Sequence, residues 1–334
     1  MFSSGDEYST KEELNSLFNR CLKILTKNGL LVGEEQNENY KLLANNKRFI
    51  DQIFIGLSRL NKANLLSSDR GQYYCSLVLQ NPESASSISR NIKLLHKSGL
   101  LTDPIYKTNC KYLVDHQKIK DFDDVLSTID DAGLLTNEHG QENFELLIKN
   151  PKCYQEIELG FFHMTKESKD NDKLPTNKLQ EYYSLFMPRA KYFSDLAGGV
   201  CYLKKRGLLE EKQGEENIKL LLEHPENAES IYEGFKKLYK STDSLEQSQN
   251  NYLFLLRYGK YANDIMSAFQ VIAQMDSLNP ELREKAWSIL LKDSRCARSI
   301  SSCLSILAKA DLLLKPEWHE NLVTILQYRE FSEE

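Results

Sequence analysis

The chain has 334 residues, 41% of them hydrophobic, and a formal net charge of -5. That apolar content is enough for a buried stripe along many helices, yet no stretch approaches the ~20 apolar residues of a membrane span. The acidic balance argues against a protein built to grip phosphate backbones, which needs a continuous basic stripe, and the polar start Met1-Phe2-Ser3-Ser4-Gly5-Asp6 is not a secretory leader.

Taken in chain order, the predicted elements are one helical phrase stated nine times. The first helix carries Phe18, Cys21, Leu22 and Leu25 on one face and stops at Gly29. The second repeats this with Ile53, Gly56, Leu57 and Leu60 before Asn64, and the third with Ile88, Asn91, Ile92 and Leu95 before Gly99. The fourth reads Phe122, Val125, Leu126 and Ile129 before Gly133, and the fifth Ile157, Gly160, Phe161 and Met164 before Ser168. The sixth has Leu196, Gly199, Val200 and Leu203 before Gly207, and the seventh Ile231, Gly234, Phe235 and Leu238 before Thr242. The last two are Ile265, Ala268, Phe269 and Ile272 before Asp276, and Ile300, Cys303, Leu304 and Leu307 before Asp311. Counted back from the turn residue, these are positions -11, -8, -7 and -4, a single face at helical period.

A recurrence of about 35 residues is the mark of stacked-repeat proteins, so the expected fold is all-α: a right-handed α-solenoid, or superhelix, of about nine helix-turn-helix repeats. Glycine suits the turn because the left-handed conformation ends a helix there, and Leu-Leu follows Gly29, Asn64, Gly99, Gly133 and Gly207. Glycine at -8 costs about 1 kcal/mol relative to alanine inside a helix, which predicts close approach of a neighbouring helix at that level.

A polar loop and a second helix follow each turn, with apolar residues at +11 and +14, such as Phe144 and Leu147 or Ile218 and Leu221. The second helix stops at Asn46, Asn81, His116, Asn150, His224 or Asp293; three of these precede Pro82, Pro151 and Pro225, which reads as an N-cap followed by a first helical proline. The expected organisation is a disordered segment 1–9, an N-terminal array 10–165, a charged loop or hinge 166–178, a C-terminal array 179–330 and an acidic tail 331–334.

Seven cysteines show no CxxC spacing, and Cys21, Cys75, Cys110 and Cys303 take positions filled elsewhere by small or apolar residues. They read as buried packing in a reducing compartment. No P-loop, GxGxxG, HExxH or GxSxG is present, the six histidines lie in separate repeats, and neither cofactor nor metal is expected. His116 and His224 share a repeat position with Asn46 and Asn81, which favours a structural role.

Position +10 of the second helix holds Asn39, Tyr74, Asn109, Asn143, Tyr182, Asn217, Tyr252, Ala286 and Asn321. Asparagine is a mediocre helix former, so its return at one phase has a cause other than propensity. The asparagines read as an internal ladder; Tyr74, Tyr182 and Tyr252 are candidates for gripping a partner, since tyrosine is a preferred interface residue. Tyr73 joins them, because its +9 counterparts Glu38, Glu142 and Glu216 mark a solvent-facing phase.

The phrase Asp131-Ala132-Gly133-Leu134-Leu135-Thr136, with Asn143-Phe144-Glu145-Leu146-Leu147 and Asn150-Pro151, resembles a recurrent repeat of secreted effectors that Legionella- and Coxiella-like intracellular bacteria inject into host cells. Gly207-Leu208-Leu209, Asn217, Leu220-Leu221 and His224-Pro225 form a second close instance. The resemblance implies a type IV secretion substrate, made in the bacterial cytoplasm and delivered to the host cytoplasm. It also implies a non-enzymatic adaptor, inhibitor or scaffold for a host protein or another effector, expected as a monomer that binds no nucleic acid. Two other classes stand beside it: an enzyme with a site inside the superhelical groove, and an RNA-binding repeat array.

Overall fold

A computed structural model describes residues 4–31, 33–119, 121–165, 174–238, 244–273, 288, 290, 291 and 294–309. Among them all regular structure is helical, with no strand. The first helices of successive repeats are α1 (Ser4–Lys27), α3 (Ile50–Lys62), α5 (Ala85–Lys97), α7 (Phe122–Asp131), α9 (Tyr154–Thr165), α11 (Phe193–Lys205), α13 (Ala228–Leu238), α15 (Ala262–Ala273) and α16 (Ala297–Lys309). The second helices between them are α2 (Gly33–Asn45), α4 (Gly71–Gln80), α6 (Tyr106–His116), α8 (Gly140–Ile148), α10 (Thr176–Phe186), α12 (Glu211–Glu223) and α14 (Leu245–Tyr258). Helix α1 begins at Ser4, inside the segment expected to be disordered. The turn residues Ser168, Thr242, Asp276 and Asp311, the loop residues 166–173 and the tail 331–334 lie outside the described residues.

Two units are distinguished by their internal contacts: Met1–Glu158 with Pro175–Met187, and Leu159–Leu174 with Pro188–Glu334. The division falls within α9, ahead of the charged loop 166–178 where composition had suggested it, and α10 belongs to the first unit. In that unit α1 packs on α3, α3 on α5, α5 on α7, and α2 on α4. In the second, α11 packs on α13, α13 on α15, and α15 on α16. Like helices of consecutive repeats are therefore neighbours within each unit.

The -11 column is the core. All nine residues, from Phe18 to Ile300, are buried. At -4, Leu25, Leu60, Leu95, Ile129, Met164 and Leu203 are buried as well. Five turns have one geometry: Gly29, Asn64, Gly99, Gly133 and Gly207 adopt φ between 57° and 77°. The amide after each (Leu30, Leu65, Leu100, Leu134, Leu208) donates to the carbonyl of the -4 residue at 2.9–3.1 Å. This is the Schellman closure, and the leucine that makes it folds back into the core.

Three of the four glycines at -8 mark close contacts between repeats, while a Cβ on the fourth, Gly199, would meet Leu221 of its own repeat at 2.9 Å. A Cβ on Gly56 would lie 2.8 Å from the Ala85 carbonyl oxygen, and one on Gly234 would lie 3.0 Å from the Ala262 carbonyl. At Gly160 it would overlap the Phe193 ring. Gly56, Gly160 and Gly234 thus face the first residue of the next repeat's first helix. Asn91 departs from this column because α7 starts late, at Phe122 after the left-handed Asp121; its amide fills the space and donates to Asp123 Oδ1 at 2.7 Å.

The junction before each first helix differs from the expected N-cap. Asn46, Asn81, Asn150 and His224 form no side-chain cap bond, and the chain passes through 3-10 turns at Lys47–Phe49, Pro82–Ser84, Pro151–Cys153 and Pro225–Asn227. The asparagine amides reach backward instead, Nδ2 donating to the carbonyls of Leu42, Leu77 and Leu146 at 2.8–2.9 Å. They close the preceding helix, satisfying carbonyls that its end leaves free.

Candidate functional site

The +10 asparagines among the described residues, Asn39, Asn109, Asn143 and Asn217, are fully buried, and their amides are spoken for. Nδ2 of Asn39, Asn109, Asn143 and Asn217 donates to the carbonyl of the first leucine after its own turn, at 2.7 Å for Leu30, Leu100 and Leu134 and 2.9 Å for Leu208. The same nitrogen donates to a glutamine of the following repeat: Gln72, Gln141, Gln180 and Gln249, at 2.7–2.9 Å. Each glutamine returns a bond from Nε2 to the asparagine Oδ1, at 2.8–3.3 Å. Four reciprocal amide pairs therefore tie a repeat to its successor and secure the loop after its turn. Buried amides require such satisfaction.

Where the +10 residue is tyrosine, the partner column changes. Tyr74 is followed by Lys107 and Tyr182 by Glu215, in the places that Gln72, Gln141 and Gln180 occupy elsewhere. At the Tyr74 rung an arginine makes the link: Arg70 donates to the Leu101 carbonyl and, at 2.8 Å, to Asp103. The ring of Tyr182 stacks on Phe186 with centroids 5.8 Å apart.

Three of the four candidate contact residues are corrected by burial. Tyr74, Tyr182 and Tyr252 expose 1%, 2% and 1% of their surface, so no partner reaches them without opening the fold. Tyr252 is also one residue out of register with the +10 column. Its hydroxyl donates to the Asn217 carbonyl at 2.8 Å, as Tyr183 donates to the Asn143 carbonyl at 2.9 Å, and Gln249 stands three residues before it as Gln180 stands before Tyr183. Gln249 comes seven residues after Thr242, where Gln72 and Gln141 come eight after Asn64 and Gly133, which makes Asn251 the counterpart of Asn217.

Tyr73 remains at the surface, half-buried, while Glu38, Glu142 and Glu216 are exposed as that phase predicts. Its ring meets Tyr106 edge-on with centroids 5.6 Å apart, and the Arg70 guanidinium lies 4.3 Å over Tyr106. Burial raises its phenol to about 12, so it stays a neutral hydrogen-bonding group.

The titratable groups are dispersed. His116 Nδ1 meets the Tyr154 hydroxyl at 2.6 Å, and the ring packs against Phe122 and Tyr154; desolvation lowers its pKa. His139 sits beside Glu138 and Glu142, and His224 beside Glu226. Cys21, Cys75 and Cys110 are buried thiols pushed up to about 12 by desolvation. Among the described residues no group of three or more His, Cys, Asp or Glu side chains is placed to hold a metal ion, and no helix is long and apolar enough to cross a membrane.

Clefts open at the surface of each unit. One, of about 920 Å³ in the second unit, runs between the starts of α12 and α14, with Leu208, Glu210, Gln213 and the 58%-exposed Leu245 among its lining. Another, of about 420 Å³ in the first unit, is lined by Phe54, Ile55, Ser58, Arg59, Lys62 and Lys93. Comparison of the chain with protein-family models, with curated proteins and with solved structures gave no match, so the reading of its function rests on this geometry.

Proposed function

We propose that the chain is a right-handed α-solenoid of about nine repeats that acts without chemistry of its own, as a protein-binding adaptor, inhibitor or scaffold. The amide pairing carries this reading. Each Asn–Gln pair links a repeat to its immediate successor, and one step applied repeatedly generates a stacked array. The recurrent columns are consumed by architecture: -11 and -4 by the core, -8 by inter-repeat contact, the turn by Schellman closure, +10 by the ladder. What differs between repeats lies on outward phases, where partner recognition resides in such arrays. The resemblance to effector repeats of intracellular bacteria points the same way, to a host protein or a second effector as partner.

Two measurements test this. Small-angle scattering is expected to give a radius of gyration well above the ~20 Å of a compact globule of this length; a value near 20 Å removes the solenoid. Immobilised full-length chain, exposed to host lysate and to the other secreted bacterial proteins, is expected to retain a protein that binds saturably once purified. A well-folded chain that retains no such protein refutes the adaptor reading. Export is tested separately, by the appearance of a reporter fusion in host cytoplasm.

A further inference from the structure

The outward faces of α1, α3 and α5 carry a charge pattern that the repeat does not require. These helices pack side by side in that order. Positions -9, -6 and -2 lie on successive turns of one face. They hold Arg20, Lys23 and Lys27 on α1, then Ile55, Ser58 and Lys62 on α3, then Arg90, Lys93 and Lys97 on α5. All seven cations are exposed. The acids of α1 and α3 come no later than Glu13 and Asp51, and α5 has none. In the next repeat the same three positions are Asp124, Ser127 and Asp131, which ends the pattern.

Part of this has a local cause. A lysine at -2 sits in the last helical turn, where a cation offsets the helix dipole. The mid-helix cations at -9 and -6, on α1 and α5, gain nothing from that effect and stand on one face of a chain whose net charge is -5. On the α7 edge, Asp123 and Asp130 partner Arg90 at 3.9 Å and Lys97 at 3.4 Å. Among the described residues Lys23, Lys27, Lys62 and Lys93 join no ion pair. Within this field lies the 420 Å³ cleft, with Ile55 40% exposed on its wall.

We propose that this face is the docking site for an acidic amphipathic segment of a protein partner. Its carboxylates meet Lys23, Lys62 and Lys93, and an apolar side chain enters the cleft beside Phe54 and Ile55. The proposal rests on the protein-binding reading above and gives it a face and a partner chemistry. Single-stranded nucleic acid needs open aromatic faces for stacking, whereas Phe54, the cleft's one aromatic, is covered by the Arg20 guanidinium at 4.0 Å. A lipid surface needs a broader apolar face than Ile55 supplies.

The test uses full-length chain and a labelled helical peptide of about 18 residues, five turns long, with Glu on one face and Leu on the other. Fluorescence anisotropy is expected to show saturable binding that weakens with salt. Binding is expected to fall roughly tenfold or more in Lys62→Glu/Lys93→Glu and in Ile55→Asp, to be unchanged in Lys219→Glu on α12, and to fall when the peptide's leucines become serine. No saturable binding by a chain with intact helicity and melting overturns the proposal. So does equal or tighter binding of oligouridine RNA or phosphatidylserine vesicles, which would assign the cations to a different class of ligand. A purified partner that still binds the Lys62→Glu/Lys93→Glu chain at full affinity overturns this face and leaves the protein-binding reading standing.

Discussion

Replacing Asn143 by alanine isolates one rung of the ladder. The asparagine is fully buried, donates to the Leu134 carbonyl and to Gln180 Oε1 at 2.7 Å each, and accepts from Gln180 Nε2 at 2.9 Å. Gln180 is half-buried and keeps bonds from Asn137 at 2.8 Å and to Ser184 at 3.2 Å, so it recovers much of its loss. The Leu134 carbonyl belongs to a fully buried residue and loses this donor. A stranded acceptor costs about 1–3 kcal/mol, and each net hydrogen bond contributes about 1. The expected loss is therefore about 2–3 kcal/mol, or roughly 4–12 °C in melting temperature for a cooperative unit of this size. Urea unfolding followed by circular dichroism, with an unchanged m-value, measures it. Asn143→Ala and Gln180→Ala, alone and together, are expected to show a coupling energy of about 1 kcal/mol. Asn143→Asp keeps the shape but turns a donor toward the Leu134 carbonyl into a buried carboxylate, so its deficit is expected to shrink as pH falls. A single variant within about 0.5 kcal/mol of wild type, or an additive cycle, would refute the ladder as a source of stability.

Gly56→Ala and Gly160→Ala are expected to lower stability by about 1–3 kcal/mol through overlap with Ala85 and Phe193, against a helix-propensity gain of about 1 kcal/mol; melting temperatures that rise in both would exclude the close contact. At the turns, Gly99→Val places a β-branched side chain at φ 75° and is expected to cost upwards of about 1–2 kcal/mol, whereas Asn64→Gly at φ 57° stays within about 1 kcal/mol of wild type, both read by thermal melting. Cys21, Cys75 and Cys110 are raised to about 12 from an ordinary 9.0, so the native state holds protons that the unfolded chain releases. Stability is therefore expected to fall as pH rises through about 9, and urea midpoints at pH 7 and 10 should show a shallower fall in a Cys21→Ala/Cys75→Ala/Cys110→Ala chain; equal slopes would remove the thiols as the cause.

The columns at -11, -4 and the turn were legible because their causes are local: helical period, and the preference of glycine or asparagine for the left-handed region. Two kinds of information were not. A residue's phase does not say what covers it, so Tyr74 and Tyr182 read as surface anchors although both are buried. Nor does a count from the turn survive a change in loop length, which displaced Tyr252 by one position. The glutamines were missed for a different reason. Their column is mixed, running Gln72, Lys107, Gln141, Gln180, Glu215, and glutamine appears in it only after a repeat bearing Asn39, Asn109 or Asn143. Comparing each repeat with its predecessor, instead of reading down a column, would have exposed the pairing. The backward bonds of Asn46, Asn81 and Asn150 were hidden because asparagine serves either side of a helix junction and the following proline suggested the wrong one.

The dependence of each rung on its neighbour also governs how such a chain can lengthen or shrink. Excising residues 110–143 leaves Asn109 where Asn143 stood, opposite Gln180, and the seam matches. Excising 40–74 leaves Asn39 where Tyr74 stood, with Lys107 in the place of a glutamine, so its amide loses the acceptor that Gln72 supplied. The repeats behave like dominoes, joinable only where the abutting ends agree. Duplication and loss over evolutionary time are channelled toward those cuts, and anyone splicing new segments into this scaffold inherits the same rule.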